Sequence, residues 1–331
     1  MSAVDDIATI AAEVPWPDHE AEQAARGHAA DAGQLDALAE WLAGTQGGCP
    51  PHEPQRMRAL VFAADHGIAA AAVSAYEPGA TAQWVTDITG GAARVNVLAE
   101  LAGATVRVVD VGVGRPGGRI DREDAMSSDD TARALQAGVD VADDEVDAGT
   151  DLVVVGDIGV GATTVAAVLA AVITSTEPVK VIGRGGGIDD DTWMRKATAV
   201  RDARLRAWKE RAETLPLLSI AGGADIAAMV GFLVRAASRR TPVLLDGVVA
   251  TAAALVVQDL QPRCVRWWRS AQRTGEPAQA VALRRLGLEP ILDLGVKAGD
   301  GTGGLLAIPV LRAAARTGGR PPRHDADARD L

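Results

Sequence analysis

Three glycine-framed segments hold the residues best suited to chemistry. In Gly299-Asp300-Gly301-Thr302-Gly303-Gly304 a carboxylate stands between glycines ahead of an apolar helical stretch, Leu305–Ala315. Such a carboxylate can be a plain helix cap or a proton acceptor held in a cleft, and spacing does not choose between them. The segment Gly156-Asp157-Ile158-Gly159-Val160-Gly161-Ala162-Thr163-Thr164 opens another helix. Gly159 and Gly161 let backbone N–H groups approach an anion at the helix N-terminus; a tight turn capped by Thr163 or Thr164 is the plainer alternative. Gly183-Arg184-Gly185-Gly186-Gly187 precedes Asp189–Asp191, which can cap the following helix. Lys196 lies one to two turns further in, able to fold back to a phosphate or to remain solvated. None of these segments is a Walker loop or a Gly-x-Gly-x-x-Gly fingerprint with its acidic partner, which disfavours a nicotinamide-dependent oxidoreductase.

The elements that must position these loops read as alternating strands and helices. Candidate strands are Ala59–Ala63, Thr105–Val111, Leu152–Val155, Val179–Ile182, Leu217–Ile220 and Pro242–Leu245. Helix-like segments between and after them are Thr81–Ala102, Thr163–Thr174, Asp190–Arg211, Asp225–Arg239 and Val249–Leu260. Near-continuous apolar strands at this spacing predict an α/β fold, a doubly wound, Rossmann-like parallel sheet buried on both faces. Ligands of such sheets gather at the carboxyl ends of the strands. There the sequence has Asp65-His66-Gly67, Asp110-Val111-Gly112, the Gly156 and Gly183 loops, Gly222-Gly223 and Asp246-Gly247. One loop of this kind is weak evidence; the series predicts a single polar cleft lined by backbone.

The expected domains are a parallel α/β core over 51–260 and a small, mainly helical domain from 1–50 plus 261–316, whose Asp300 loop reaches the cleft. Asp18–Ala30, Gln34–Leu42 and Ala278–Leu286 are its helices, and 317–331 is expected to be a disordered tail rich in Gly, Pro, Arg and Asp. The net charge of −11 and the absence of a Lys/Arg block argue against a basic face for nucleic acid, so no nucleic-acid partner is expected, but say nothing against a locally built phosphate site. Two cysteines in 331 residues are too few for a disulfide framework and suit a reducing cytoplasm. Cys49-Pro50-Pro51-His52 offers one pair where a structural zinc needs four ligands, so no metal is expected. The acidic start, Met1–Val14, lacks the basic region of a signal peptide, and the weakly charged run Ile158–Thr176 is expected to be a buried helix rather than a membrane span.

From about Phe62 to Arg312 the chain resembles the nicotinate-nucleotide–dimethylbenzimidazole phosphoribosyltransferases of cobalamin nucleotide-loop assembly. The resemblance is carried, in order, by Ala64-Asp65-His66-Gly67, Val73-Ser74-Ala75-Tyr76, Thr81-Ala82-Gln83, Gly90-Gly91-Ala92-Ala93 and Asn96-Val97-Leu98-Ala99. It continues through Val108-Val109-Asp110-Val111-Gly112-Val113, the Gly156–Gly161 segment, Gly183-Arg184-Gly185, Arg195-Lys196-Ala197, Leu245-Asp246-Gly247 and Leu292-Asp293-Leu294-Gly295.

The resemblance implies a usually dimeric enzyme, needing no cofactor or metal, that moves ribose 5-phosphate from nicotinate mononucleotide to 5,6-dimethylbenzimidazole or a related base. It implies Asp300 as the base, where the family has a glutamate in Gly-Glu-Gly-Thr-Gly. Asp157, also a glutamate in the family, would support positive charge developing on the ribose. Lys196 would bind the phosphate, Ser74, Tyr76 and Gln83 the benzimidazole, Gly159, Gly161 and Gly185 the nucleotide, with Asp246 a further substrate-binding position. Both carboxylates are one methylene shorter than the family pattern, and Ala162 replaces its asparagine. The family's His-x-Ser-x-Glu-x-Gly-His stretch is read as degraded to Trp268-Arg269-Ser270-Ala271-Gln272. The alternative on the same fold is a non-catalytic or altered-specificity protein that binds a nucleotide or cobamide precursor.

Overall fold

The structure, a computed structural model, describes residues 3–28 and 32–319. Six strands form one sheet: β1 (Met57–Ala64), β2 (Thr105–Gly112), β3 (Leu152–Ile158), β4 (Val243–Leu245), β5 (Trp268–Gln272) and β6 (Pro290–Leu292). Their order is β2-β1-β3-β4-β5-β6, with every pairing parallel. The chain runs outward from β1 to β2, returns past β1 to β3 and then proceeds the other way. This reversal opens a crevice between the carboxyl ends of β1 and β3, where doubly wound sheets take their ligands.

The described helices are α1 (Ala3–Ala12), α2 (His19–Arg26), α3 (Gln34–Gln46), α4 (Ala80–Thr89), α5 (Arg94–Ala102), α6 (Ser128–Asp147) and α7 (Ala162–Ile173). They continue with α8 (Asp190–Ala207), α9 (Thr214–Ala221), α10 (Ala224–Ser238), α11 (Gly247–Leu260), α12 (Pro277–Leu286) and α13 (Thr302–Thr317). The central strands β3 and β4 are buried almost throughout, and the Ala- and Val-rich helices α7, α10 and α11 join the same apolar core. Small side chains let these helices lie close to the sheet, which explains so large a core with so few aromatic residues. The run Ile158–Thr176 is mostly α7, a buried helix of 12 residues. No helix among the described residues is long and apolar enough to cross a membrane.

Two of the six expected strands are not strands. Val179–Ile182 falls on a single 3-10 turn, Pro178–Lys180, entered through a proline whose missing N–H cannot join a ladder. Leu217–Ile220 lies in α9, where Leu215, Leu218 and Ala221 recur every third residue on a buried face. The stretch Thr81–Ala102 is two helices, broken at Gly90-Gly91. Conversely, β5 and β6 extend the sheet through residues expected in the small domain.

The chain divides into one compact unit of Met1–Pro15 with Arg56–Ala307 and a second of Trp16–Gln55 with Ile308–Leu331. The boundaries expected over 51–260 and 261–316 therefore differ from those observed, because α1 packs on α6 and α10, and β5, α12 and β6 complete the large unit. Within the second unit, α2 packs on α3 through Ala21, Ala25 and Ala43. Residues 320–331 of the expected tail lie outside the described residues.

Candidate active site

A cavity of about 550 Å³ opens at the carboxyl ends of the central strands. Asp157, at the end of β3, and Asp300, just ahead of α13, both line it. The Gly299–Gly301 backbone is pressed against the strand ends. Gly299 O accepts the Asp157 N–H at 2.8 Å, and a Cβ on Gly156 would lie 2.6 Å from both Gly299 O and the Asp300 carbonyl carbon. On the β4 side a Cβ on Gly247, held at φ +87°, would meet Gly299 Cα at 2.7 Å. Glycine is required at 156 and 247 for this approach. Asp300 Oδ1 accepts the Thr302 N–H at 3.1 Å, so the carboxylate caps α13 and also lines the cavity; the two readings of this residue are compatible.

Asp157 is half-buried. Loss of hydration, then the charges of Asp225, Asp300 and Asp246, push its carboxyl well above the usual range. Asp246 is fully buried and accepts from Gln272 Nε2 at 2.8 Å and from the Gly303 N–H at 2.9 Å. Burial raises its carboxyl to about 7 against those two stabilising bonds. It does not line the cavity; it ties the loop that bears Asp300 to β5.

One end of the cavity suits an anion. Gly159, Thr163 and Gly185 line it, and Lys196, only 1% exposed, donates from Nζ to Thr163 Oγ1 at 2.9 Å. Burial pulls the Lys196 ammonium below its ordinary pKa, an effect Glu276 partly offsets. The solvated alternative for this lysine is excluded. Gly161, at φ +96°, sits behind the loop against Ile68 and His66 rather than on the cavity wall. The wall also has an aromatic, apolar part: Tyr76 and Trp84 meet edge to face with centroids 5.0 Å apart, beside Ile88, and the Tyr76 ring lies against Gly186, where a Cβ would come within 2.6 Å of it. Ser74 accepts the Tyr76 N–H at 3.2 Å, and exposed Gln83 bonds Asp87, so neither forms part of the cavity wall.

Sequence reasoning missed two features. His66 is buried against Asp225 at 3.0 Å, next to the Gly159–Gly161 turn; burial opposes its charge, but Asp225 and Asp65 hold its pKa above the ordinary value. The strand-end series contained His66, but nothing in sequence announced its partner 159 residues away. The second is Glu276, which accepts the Gly185 N–H at 2.8 Å. The stretch read as Trp268–Gln272 falls four residues too early. The spacing Gln272-x-Thr274-x-Glu276-x-Ala278-Gln279 puts a glutamate where that pattern has one, and buried Gln272, Thr274 and Gln279 form one hydrogen-bonded unit, with Gln279 bridging Gln272 O and Thr274. Among the described residues, no group of three or more His, Cys, Asp or Glu could hold a metal ion.

A family model described as phosphoribosyltransferase matches residues 16–320. The nicotinate-nucleotide–dimethylbenzimidazole phosphoribosyltransferase of Mycobacterium ulcerans is 50% identical over 325 residues, covering 92% of this chain and 90% of that protein. The protein of the same name from Mycobacterium tuberculosis is 49% identical over 324 residues, with the same coverage of 92% and 90%. The crystal structure of CobT from Thermus thermophilus matches with a TM-score of 0.85 at 33% identity, covering 90% of this chain and 96% of that one.

Proposed function

The chain belongs to the nicotinate-nucleotide–dimethylbenzimidazole phosphoribosyltransferase family, and on that basis we propose that it moves ribose 5-phosphate from nicotinate mononucleotide to 5,6-dimethylbenzimidazole or a related base, giving α-ribazole 5′-phosphate and nicotinate. The observation that carries this reading is the composition of one cavity. An aromatic pair, Tyr76 and Trp84, two carboxylates, Asp157 and Asp300, and a glycine loop at Gly185 with Lys196 behind it on Thr163 supply in one place what a base, a reacting carbon and a phosphate need.

The chemistry asks little of the protein beyond charge and orientation. Nicotinate leaves a cationic pyridinium as a neutral ring, so no strong acid is needed. The incoming benzimidazole must shed its N–H proton as its other ring nitrogen attacks the anomeric carbon, and Asp300 is the proposed acceptor. Attack opposite the departing ring converts a β bond into an α bond and requires both rings to be held in order. Asp157 is assigned to the ribose. Burial and the neighbouring carboxylates push its carboxyl upward, and a cationic nucleotide beside it favours the ionised form, which supports positive charge developing on the ribose. Lys196 and the Gly185 N–H are assigned to the phosphate.

Homodimeric assembly in the cytoplasm completes the proposal. Val97 and Leu101, exposed one turn apart on α5, offer an apolar patch for self-association, and the free thiols of Cys49 and Cys264 suit a reducing compartment. Light scattering tests the dimer. The reaction is tested by mass spectrometry of products from nicotinate mononucleotide with a panel of benzimidazoles, phenols and purines. Nicotinate release that requires an added base supports the transfer. Folded protein that binds the nucleotide but releases nothing across the panel would establish the non-catalytic alternative.

A further inference from the structure

Glu276 has no part in the scheme above, yet it stands in the anion end of the cavity. It occupies the N-cap position of α12, where a carboxylate ordinarily bonds the free N–H groups of its own helix. It makes no such bond. Instead its Oε1 accepts the Gly185 N–H at 2.8 Å, and a Cβ on Gly183 would come within 2.5 Å of the same oxygen. Two glycines of one loop are thus shaped around this carboxylate, with Gly185 in the left-handed region at φ +49°. Lys196 Nζ lies 3.8 Å from the Cβ position of Gly185 and feels the charge of Glu276, but forms no ion pair within 4.0 Å among the described residues.

A backbone N–H in a glycine loop beside a buried ammonium is a cradle for an oxyanion. Here an anion of the protein's own already occupies it. We propose that Glu276 is a displaceable stand-in for the substrate phosphate: in the unliganded protein its carboxylate takes the donor that a phosphomonoester takes on binding, and the incoming phosphate turns it out. The inference rests on reading the Gly183–Lys196 region as the phosphate end. Carboxylate and phosphate cannot share the Gly185 N–H, and like charges at such separation repel. Every phosphate must therefore bear the cost of displacing Glu276, and only a ligand with further contacts offsets it. Glu276 is in this way a specificity-determining residue: it keeps the cavity from filling with inorganic phosphate while admitting a nucleotide that also engages the ribose and ring positions.

The test is a calorimetric titration of the full chain with ribose 5-phosphate and, separately, inorganic phosphate, on the wild type, Glu276→Gln and Glu276→Ala, with thermal melts alongside. Removing the competing charge-assisted bond tightens both ligands, by about tenfold for Ala and by a smaller factor for Gln. Gln is isosteric, so the sign of its effect decides the matter even where Ala fails to fold. Weaker binding of both ligands overturns the proposal and makes Glu276 a permanent latch of the loop. Weaker binding of ribose 5-phosphate alone overturns it in favour of a ribose contact, and unchanged binding of either overturns it outright. No turnover is read, so a failure of the proposed transfer reaction leaves this result interpretable, and the reverse also holds.

Discussion

Gly156→Ala tests how the loop that bears Asp300 is held. Gly156 pairs with Val61 of β1 and directly follows Val153–Val155, the stretch of β3 that pairs with β4. A methyl there would lie 2.6 Å from Gly299 O and from the Asp300 carbonyl carbon, and closer still to Gly301 N. All three are backbone atoms, so no side chain can rotate away. The strand is fixed by its ladders, and the loop must retreat by roughly 1 Å to regain ordinary contact. A shift of that size at a reacting group costs about 100-fold in rate, and the overpacking costs about 1–3 kcal/mol of stability. The Gly185–Lys196 end is untouched, so the dissociation constant for nicotinate mononucleotide stays within about twofold. Steady-state turnover and calorimetry on the same preparation read the two quantities. A folded variant with wild-type turnover would refute the idea that backbone contact between β3 and the Gly299–Gly301 loop sets the position of Asp300.

Two further substitutions probe the buried supports. Asp246 has its carboxyl raised to about 7 from an ordinary 3.8, so its contribution to stability is fully present below about pH 4 and is lost as pH rises through about 7. The loss is at most about 4 kcal/mol. Asp246→Asn flattens this slope in denaturant midpoints taken across the range, and an unchanged slope would assign it elsewhere. Lys196→Met keeps the volume and removes a buried ammonium that has no ion pair within 4.0 Å among the described residues. The dissociation constant for nicotinate mononucleotide rises by roughly 10-fold to 100-fold, while the melting temperature of the unliganded protein holds or increases. A drop in melting temperature with unchanged affinity would show the lysine to be structural.

The central sheet was legible because β1, β3 and β4 are buried on both faces and consist almost wholly of apolar residues. The same signal misled at Leu217–Ile220 and Val179–Ile182, since a short apolar run does not distinguish a buried strand from a buried helix or turn. β5 and β6 were invisible for the opposite reason. β5 reads Trp-Arg-Ser-Ala-Gln and β6 has three residues, so both owe their strand conformation to pairing with neighbours already in the sheet. In the site, glycine flanks singled out Asp157 and Asp300, and the structure brings both to one cavity. Pattern could not supply the Glu276–Gly185 contact, which spans 91 residues, or the burial that shifts the pKa of Lys196 down and of Asp246 up. Such properties arise from what the fold packs around a side chain, not from its neighbours in sequence.

The claim on which the rest depends is that Asp300 accepts the proton of the incoming base, and turnover of Asp300→Asn and Asp300→Glu tests it most directly. Asn retains an oxygen able to accept the Thr302 N–H, so a residue that only caps α13 tolerates it. Turnover reduced roughly 100-fold or more in Asn, with nicotinate mononucleotide bound as tightly as before and activity retained in Glu, is the result predicted. Full turnover in Asp300→Asn would contradict it and leave Asp300 as a helix cap.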